Sequence, residues 1–449
     1  MRASRRSVLA LLGSASVLAL AGFGAARAQP GPGVQLLILS DLHSAYDRTG
    51  PLLAMMAAQV EASPLPTLIL VNGDVFESGN VVASRSSGEI DWAFLAGLAA
   101  LAPTVLNIGN HEPDFDPDLA HLVTRAGALG ITVLSNITDT RSGQPYAQAG
   151  ARLNIGGLVV SIAALGTPAM ATYPKATRDM IAVPDPAEWA ARNLPELLTG
   201  DTNIVLSHAG VVADRNFIDD LPDGTLLIGG HDHLILQHAQ GATRYVHTGS
   251  WAGLLTVAVM TGGGQPAEIR QLPVDQAGPV ADSLRDLIPQ VMAAHLTEAE
   301  RSPIATLPAA MSLAELARLT ARTMAQATGA DVGFIGHTSF GTGLPGGAVS
   351  AYAYDAALRF DGSLMRATVD AGTMAAIMAR CNQDGDMPLD RRTGDFLYAA
   401  PDPVPGKATY TIVCNDWSAK NSAKYFGRED IAFTELPDVR LKPLIAEAL

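Results

Sequence analysis

Short apolar runs recur along the chain, separated by stretches whose apolar residues fall three and four apart. The runs are "VQLLIL" at 34–39, "TLILV" at 67–71, "TVLNI" at 104–108, "NIVL" at 203–206 and "TLLI" at 225–228. Continuous apolar runs of this length, bounded by turn residues, predict strands buried on both faces. Between the first three lie "PLLAMMAAQVEAS" and "DWAFLAGLAALA", with the spacing of helices that cover a sheet. The alternation predicts a layered α/β domain over 33–273.

The pattern changes after "TGGGQPAE" at 261–268. A helix from Ala281 to His295 and a proline-containing stretch ending near Pro308 predict a connector over 274–308. A second unit, 309–449, opens with a capping box formed by Ser312 and Glu315, and its first helix is expected to stop at Gly329. No internal repeat is visible.

Composition adds little to this picture, and charge adds more. With 449 residues and 48% hydrophobic content the chain can fill two ordinary cores. Residues 1–28 stand apart. Arg2, Arg5 and Arg6 precede an apolar run, and "ARA" at 26–28 has the pattern of a cleavage site. The paired arginines in "SRRSVLALL" resemble a twin-arginine signal, which implies handling by that export machinery, a periplasmic location and no stable membrane insertion once the signal is removed. Its removal makes the formal charge of −14 more negative by four, and so acidic a surface repels nucleic acid. Cys381 and Cys414 are too few for a disulfide framework. They are open between pairing and two buried thiols, and a cysteine-held metal is not expected.

Each predicted strand hands over to polar residues at its carboxyl end. These are Asp41 and His43 in "SDLH", Asp74 in "NGD", Asn110, His111 and Asp114 in "GNHEPD", His208 in "LSHAG", and His231 and His233 in "GGHDH". Any one of these is an ordinary surface motif. Their recurrence at one sheet edge, with five of the chain's ten histidines, makes coincidence the poorer explanation. Two carboxylates, an amide and four imidazoles are too many donors for one tetrahedral zinc. They suit two borderline divalent ions of the Mn, Zn, Fe or Co type, with Asp74 the natural bridge. Two such cations against two carboxylates make a local anion trap, so a phosphate ester is the expected guest.

These blocks, in this order, resemble the calcineurin-like metallophosphoesterase superfamily, and within it the periplasmic 5'-nucleotidases. The resemblance implies a four-layer αββα metallophosphoesterase domain and a smaller α/β C-terminal substrate-binding domain. It assigns Asp41, His43 and His233 to one metal, Asn110, His208 and His231 to the other, and Asp74 to both. A water activated between the ions would attack phosphorus, with His111, held by Asp114, assisting the leaving oxygen. The substrate it implies is a small phosphorylated molecule, a nucleotide first, with Phe396 in "GDFLY" and Tyr425 in "NSAKY" as the aromatic pair that sandwiches a base.

The chain departs from that pattern at named positions. Ser44 replaces a glycine, and Pro113 replaces an aromatic between Glu112 and Asp114. In the second unit Gly336, Gly341 and Ala423 stand where the family has substrate-binding Asn, Arg and Asp. Two other readings therefore stand beside the first: a thiosulfohydrolase of sulfur oxidation on the same scaffold, and a metal-holding module without turnover. "GTGLPG" at 341–346 fits a dinucleotide fingerprint but contains proline and leads into no helical pattern, so no dinucleotide site is expected.

Overall fold

Leu36 and Ile38 face one way from the strand Val34–Leu39, Leu37 and Leu39 the other, and all four are fully buried. A strand with no polar face needs cover on both sides. In the computed structural model, which describes residues 31–449, the cover is a second sheet on one side and helices on the other. The export-signal reading of residues 1–28 lies outside the described residues.

In the first six-stranded sheet, Val34–Leu39, Thr67–Asn72 and Thr104–Asn107 run parallel, and Leu254–Met260 pairs antiparallel beside the first of them. In the second, Thr202–Ser207 lies parallel between Leu158–Leu165 and Leu226–Gly229. Leu36, Ile38, Leu68 and Leu70 of one sheet pack against Val160, Ile162, Ile204 and Leu206 of the other. Helices Tyr46–Ala62 and Glu89–Leu101 cover the outer face of the first sheet through Leu52, Met56, Phe94 and Leu98. Helix Pro186–Leu197 covers the second through Ala190 and Leu194. The order of layers is αββα.

The C-terminal α/β part is built on a five-stranded sheet, ordered Leu397–Ala400, Val332–Gly336, Thr409–Asn415, Ser363–Asp370, Thr434–Arg440. Its helix Leu313–Thr328 starts at Ser312 with the expected capping box and ends at Gly329, whose φ of 61° is the left-handed turn expected of a glycine C-cap. One apolar cluster takes Val205, Leu227 and Tyr245 from the second sheet together with Leu316, Phe340 and Phe396 from the C-terminal part. Pro32–Leu449 accordingly form one compact unit.

Between the two parts, the expected helix is two, Asp282–Arg285 and Leu287–His295, with Val291 packed on Tyr46, Val82 and Ile90. Strand Pro303–Leu307 then pairs with Gly347–Ser350. Cys381 and Cys414 are both buried and unpaired. Among the described residues no helix is long and apolar enough to cross a membrane.

Candidate metal centre

Two buried amides fasten the sheets together where the polar motifs begin. Asn72 Nδ2 donates to the carbonyls of Ser207 (2.9 Å) and Ile228 (3.1 Å), and Asn107 Nδ2 donates to Leu165 O and Asn72 Oδ1, both at 2.9 Å. The carboxyl ends of strands from both sheets are thereby held at one edge.

The loops that leave these strands are bent into a conformation that ordinary residues avoid. Asp41 (φ 52°), His43 (48°), Asp74 (54°), His231 (73°) and His233 (57°) all lie in the left-handed region. Each such residue costs on the order of 1–3 kcal/mol and persists only where the surroundings impose it. Five of the seven expected donors share this strain, so it is concentrated where the chemistry is.

The bends aim the donors at one another. His43 Nε2 and His233 Nε2 lie 2.9 Å apart, at 4.0 and 3.7 Å from Asp41 Oδ1. Asp74 Oδ2 is 3.1 Å from His208 Nε2 and 3.8 Å from His43 Nε2. His231 Nδ1 meets Asn110 Oδ1 at 2.8 Å. His208 Nδ1 is spent on the carbonyl of Asn72 at 2.7 Å, which leaves Nε2 facing the carboxylates. Asp41, His43 and His233 form one group of mutually close donors, and Asp74, His208 and His231 another. All seven predicted donors come together.

Their protonation suits a cation. Burial drives His43 down to about 4 and His231 to about 3, and holds His233 well below its usual value, so these imidazoles carry free lone pairs. Burial also pushes Asp41 up to about 7. It acts the same way on Asp74, yet His208, His111 and His43 together hold that carboxyl well below the usual range. His208 goes to about 10 against its burial, because Asp74 and Asp41 face it. Its Nε2 nevertheless has no aligned hydrogen-bond partner. Two buried carboxylates that require positive charge, an amide, three neutral imidazoles and a fourth, His208, that holds its proton only because the carboxylates face it are a donor set that fits borderline divalent ions.

Beside this cluster stands the predicted His111–Asp114 pair, with His111 Nδ1 at 2.9 Å from Asp114 Oδ2. Asp114 is fixed in turn by the backbone N–H of Ser78 at 2.6 Å. Pro113 does not keep the two apart. The His111 side chain is 18% exposed, unlike the buried His43 and His208, so the pair is reached from solvent. Asp114, then Asp74 and Glu77, raise His111 to about 10 against the opposing effect of burial.

Several residues that matter here carried no separate reading in the sequence. Glu112 accepts from the backbone N–H groups of Asp74, Val75 and Gly109 at 2.7–2.9 Å and so ties two ligand loops together. Gly109 is required for a spatial reason: a Cβ there would lie 2.3 Å from Asp74 Oδ1. Trp251 stacks on His43, with ring centroids 4.4 Å apart and planes at 21°. Glu77 Oε2 lies 3.4 Å from His43 Nδ1. The acidic residue after "GNH" was a visible signal for Glu112; Trp251, more than 200 residues from His43, had none.

The structure does not bring Phe396 and Tyr425 together as a clamp. They belong to different apolar clusters and are 2% and 3% exposed. Phe396 stacks instead on His337 at 4.7 Å and 13°, and the Tyr425 hydroxyl is bound to Asp395. Gly341 is equally occupied in its surroundings, since a Cβ there would meet Trp251 at 2.3 Å. There is no room at Gly341 for an arginine, and Phe396, packed on His337, is one wall of a cavity and not half of a clamp with Tyr425.

Residues 34–234, which hold every donor and the His111–Asp114 pair, match the calcineurin-like phosphoesterase family. This segment is a calcineurin-like phosphoesterase domain. Comparison with curated proteins finds no match. Among solved structures the chain is similar to a 5'-nucleotidase precursor from Thermus thermophilus (18% identity, 92% of this chain and 96% of that one covered, TM-score 0.60). It is similar also to a sulfate thiohydrolase from the same species (16%, 93% and 94%, 0.62) and a 5'-nucleotidase from Candida albicans (12%, 93% and 98%, 0.59). At these identities the likeness is one of fold, and it extends beyond the phosphoesterase domain into the C-terminal part.

Proposed function

We propose that the protein is an exported hydrolase of small phosphate esters, working through two divalent ions held by Asp41, His43, Asp74, Asn110, His208, His231 and His233. The observation that carries this reading is the cluster of these seven donors with the His111–Asp114 pair beside it, on the side that solvent reaches. A binding module without turnover has no use for that pair.

When bound, the ions supply the positive field that draws in a phosphoryl group and activates water for attack on it. The remaining work falls to the chain. Asp114, pinned by Ser78 N–H, holds His111 through Nδ1 and leaves Nε2 as the face that can hold a proton for the leaving oxygen. The backbone N–H of His111 donates to Asp74 Oδ1 at 2.8 Å, so the acid and the bridging carboxylate are set by the same loop. Export by the twin-arginine route is part of the proposal and rests on "SRRSVLALL".

Nucleotides are the first substrates to test, but Phe396, stacked on His337 and not paired with Tyr425, favours esters without a large base. The same feature, with the fold shared with a sulfate thiohydrolase, supports a second reading in which the bond cleaved belongs to a thiosulfonate. The test is turnover by the metal-loaded mature protein against nucleoside monophosphates, sugar phosphates, an aryl phosphate and a thiosulfonated cysteine conjugate. Release of phosphate from the small esters is the expected result. Release of sulfate alone would replace it by the second reading, and two bound metals without any turnover would leave the binding module.

A further inference from the structure

Arg359 belongs to the C-terminal part, yet its guanidinium is buried against the metal centre. Nη2 is bound to Glu77 Oε2, and Nη1 donates to the carbonyl of Thr338 at 3.1 Å. Its plane lies 4.6 Å over the ring of Trp251 and 4.8 Å from that of Phe360. Arg359 and Glu77 side chains are each 6% exposed. Two of the residues that Arg359 contacts, Glu77 and Trp251, touch His43. Glu77, whose other oxygen accepts from Gly79 N–H at 2.8 Å, presents Oε2 to His43 Nδ1 at 3.4 Å, while Trp251 covers the face of the same imidazole. One guanidinium thus reaches one imidazole by two routes, along its edge and across its face.

We propose that Arg359 and Glu77 are positioning residues for His43, through which docking of the C-terminal part sets the metal affinity of the group formed by Asp41, His43 and His233. The proposal rests on the metal-centre reading above. Glu77 Oε2 faces Nδ1 without an aligned hydrogen bond, and its charge favours the proton on that nitrogen, which leaves Nε2 as the lone-pair donor toward Asp41 and His233; the Asn72 carbonyl does the same for His208 through a hydrogen bond of 2.7 Å. Glu77 can do this only while its own charge is met, and the partner that meets it comes from 282 residues away in sequence. Trp251 is held in the left-handed region at φ 54°, and Arg48 Nη1 donates to its carbonyl at 3.4 Å, so the stacking ring is itself fixed.

The test is zinc titration of the full mature protein against a competing chelator, with unfolding of the metal-free form measured alongside. Wild type should bind two equivalents; none at all would overturn the metal-centre reading itself. Arg359→Met alone buries an uncompensated carboxylate, so the decisive variant is the pair Glu77→Gln with Arg359→Met, which removes both charges. The expected result is a loss of roughly tenfold to a hundredfold in affinity for one equivalent and little change in the other. Arg359→Lys should fall between, since it keeps the charge and loses the stack and the Thr338 contact. Two full-affinity equivalents in the paired variant, with only the metal-free stability lowered, would reduce Arg359 and Glu77 to an ordinary buried ion pair and overturn the proposal.

Discussion

His111 and Asp91 show how much a single side chain can decide in this molecule. The His111 backbone donates to Asp74, and its ring hydrogen-bonds Asp114 and lies edge-on to His43 with centroids 4.8 Å apart. Since it is not one of the seven assigned donors, removing the ring should spare the metals and remove the acid. His111→Ala is expected to keep two metal equivalents by elemental analysis and lose about a hundredfold or more in turnover. Loss of metal with activity would mean that His111 is a ligand. Asp91 illustrates a cost rather than a role. It is buried beneath Ser44 Oγ (3.1 Å) and Tyr46 OH (2.6 Å), and burial lifts it to about 7 despite both donors. An acid raised in the fold is protonated there over a pH range where the unfolded chain has already lost the proton. Its contribution to stability therefore falls as pH rises from about 4 to about 7. Asp91→Asn should flatten that part of the profile in melts taken at constant free metal; an unchanged slope would remove Asp91 from the account.

At the scale of elements, the sequence was most legible where a pattern is local. The apolar runs at 34–39, 67–71 and 104–108 are strands, and Ser312, Glu315 and Gly329 bound a helix because capping is written within four residues of each end. The polar turns were legible for the same reason: each motif follows its own strand. Pairings between distant segments were not. Nothing near Trp251 announces His43, and nothing near Phe396 announces that His337 will lie against it, because such contacts are settled by how whole layers dock. The strand Leu158–Leu165 also went unread, although every residue of LVVSIAAL except Ser161 is apolar. The consequence for Phe396 is measurable. As a core ring rather than an open clamp, Phe396→Ala should destabilise by about 3–5 kcal/mol in denaturant melts. A variant of wild-type stability with raised KM for nucleotides alone would restore the clamp.

At the scale of the whole chain, stability and occupancy of the centre are linked. Ions that bind the folded form and not the unfolded one add about 2.7 kcal/mol per site at a free concentration a hundred times Kd. Chelation should therefore lower Tm by several degrees, and metal should restore it. A Tm indifferent to chelator would mean that the seven donors hold no ion. The donors also come from both sheets and from positions as far apart as Asp41 and His233. During synthesis a nascent chain stopped before residue 231 can form the first parallel strands and still lack a ligand for each group. On the proposed metal centre, capture of the ions would thus come late in synthesis, once both sheets have their ligand loops. A cell that loads the ions before moving the protein would in effect be inspecting the fold.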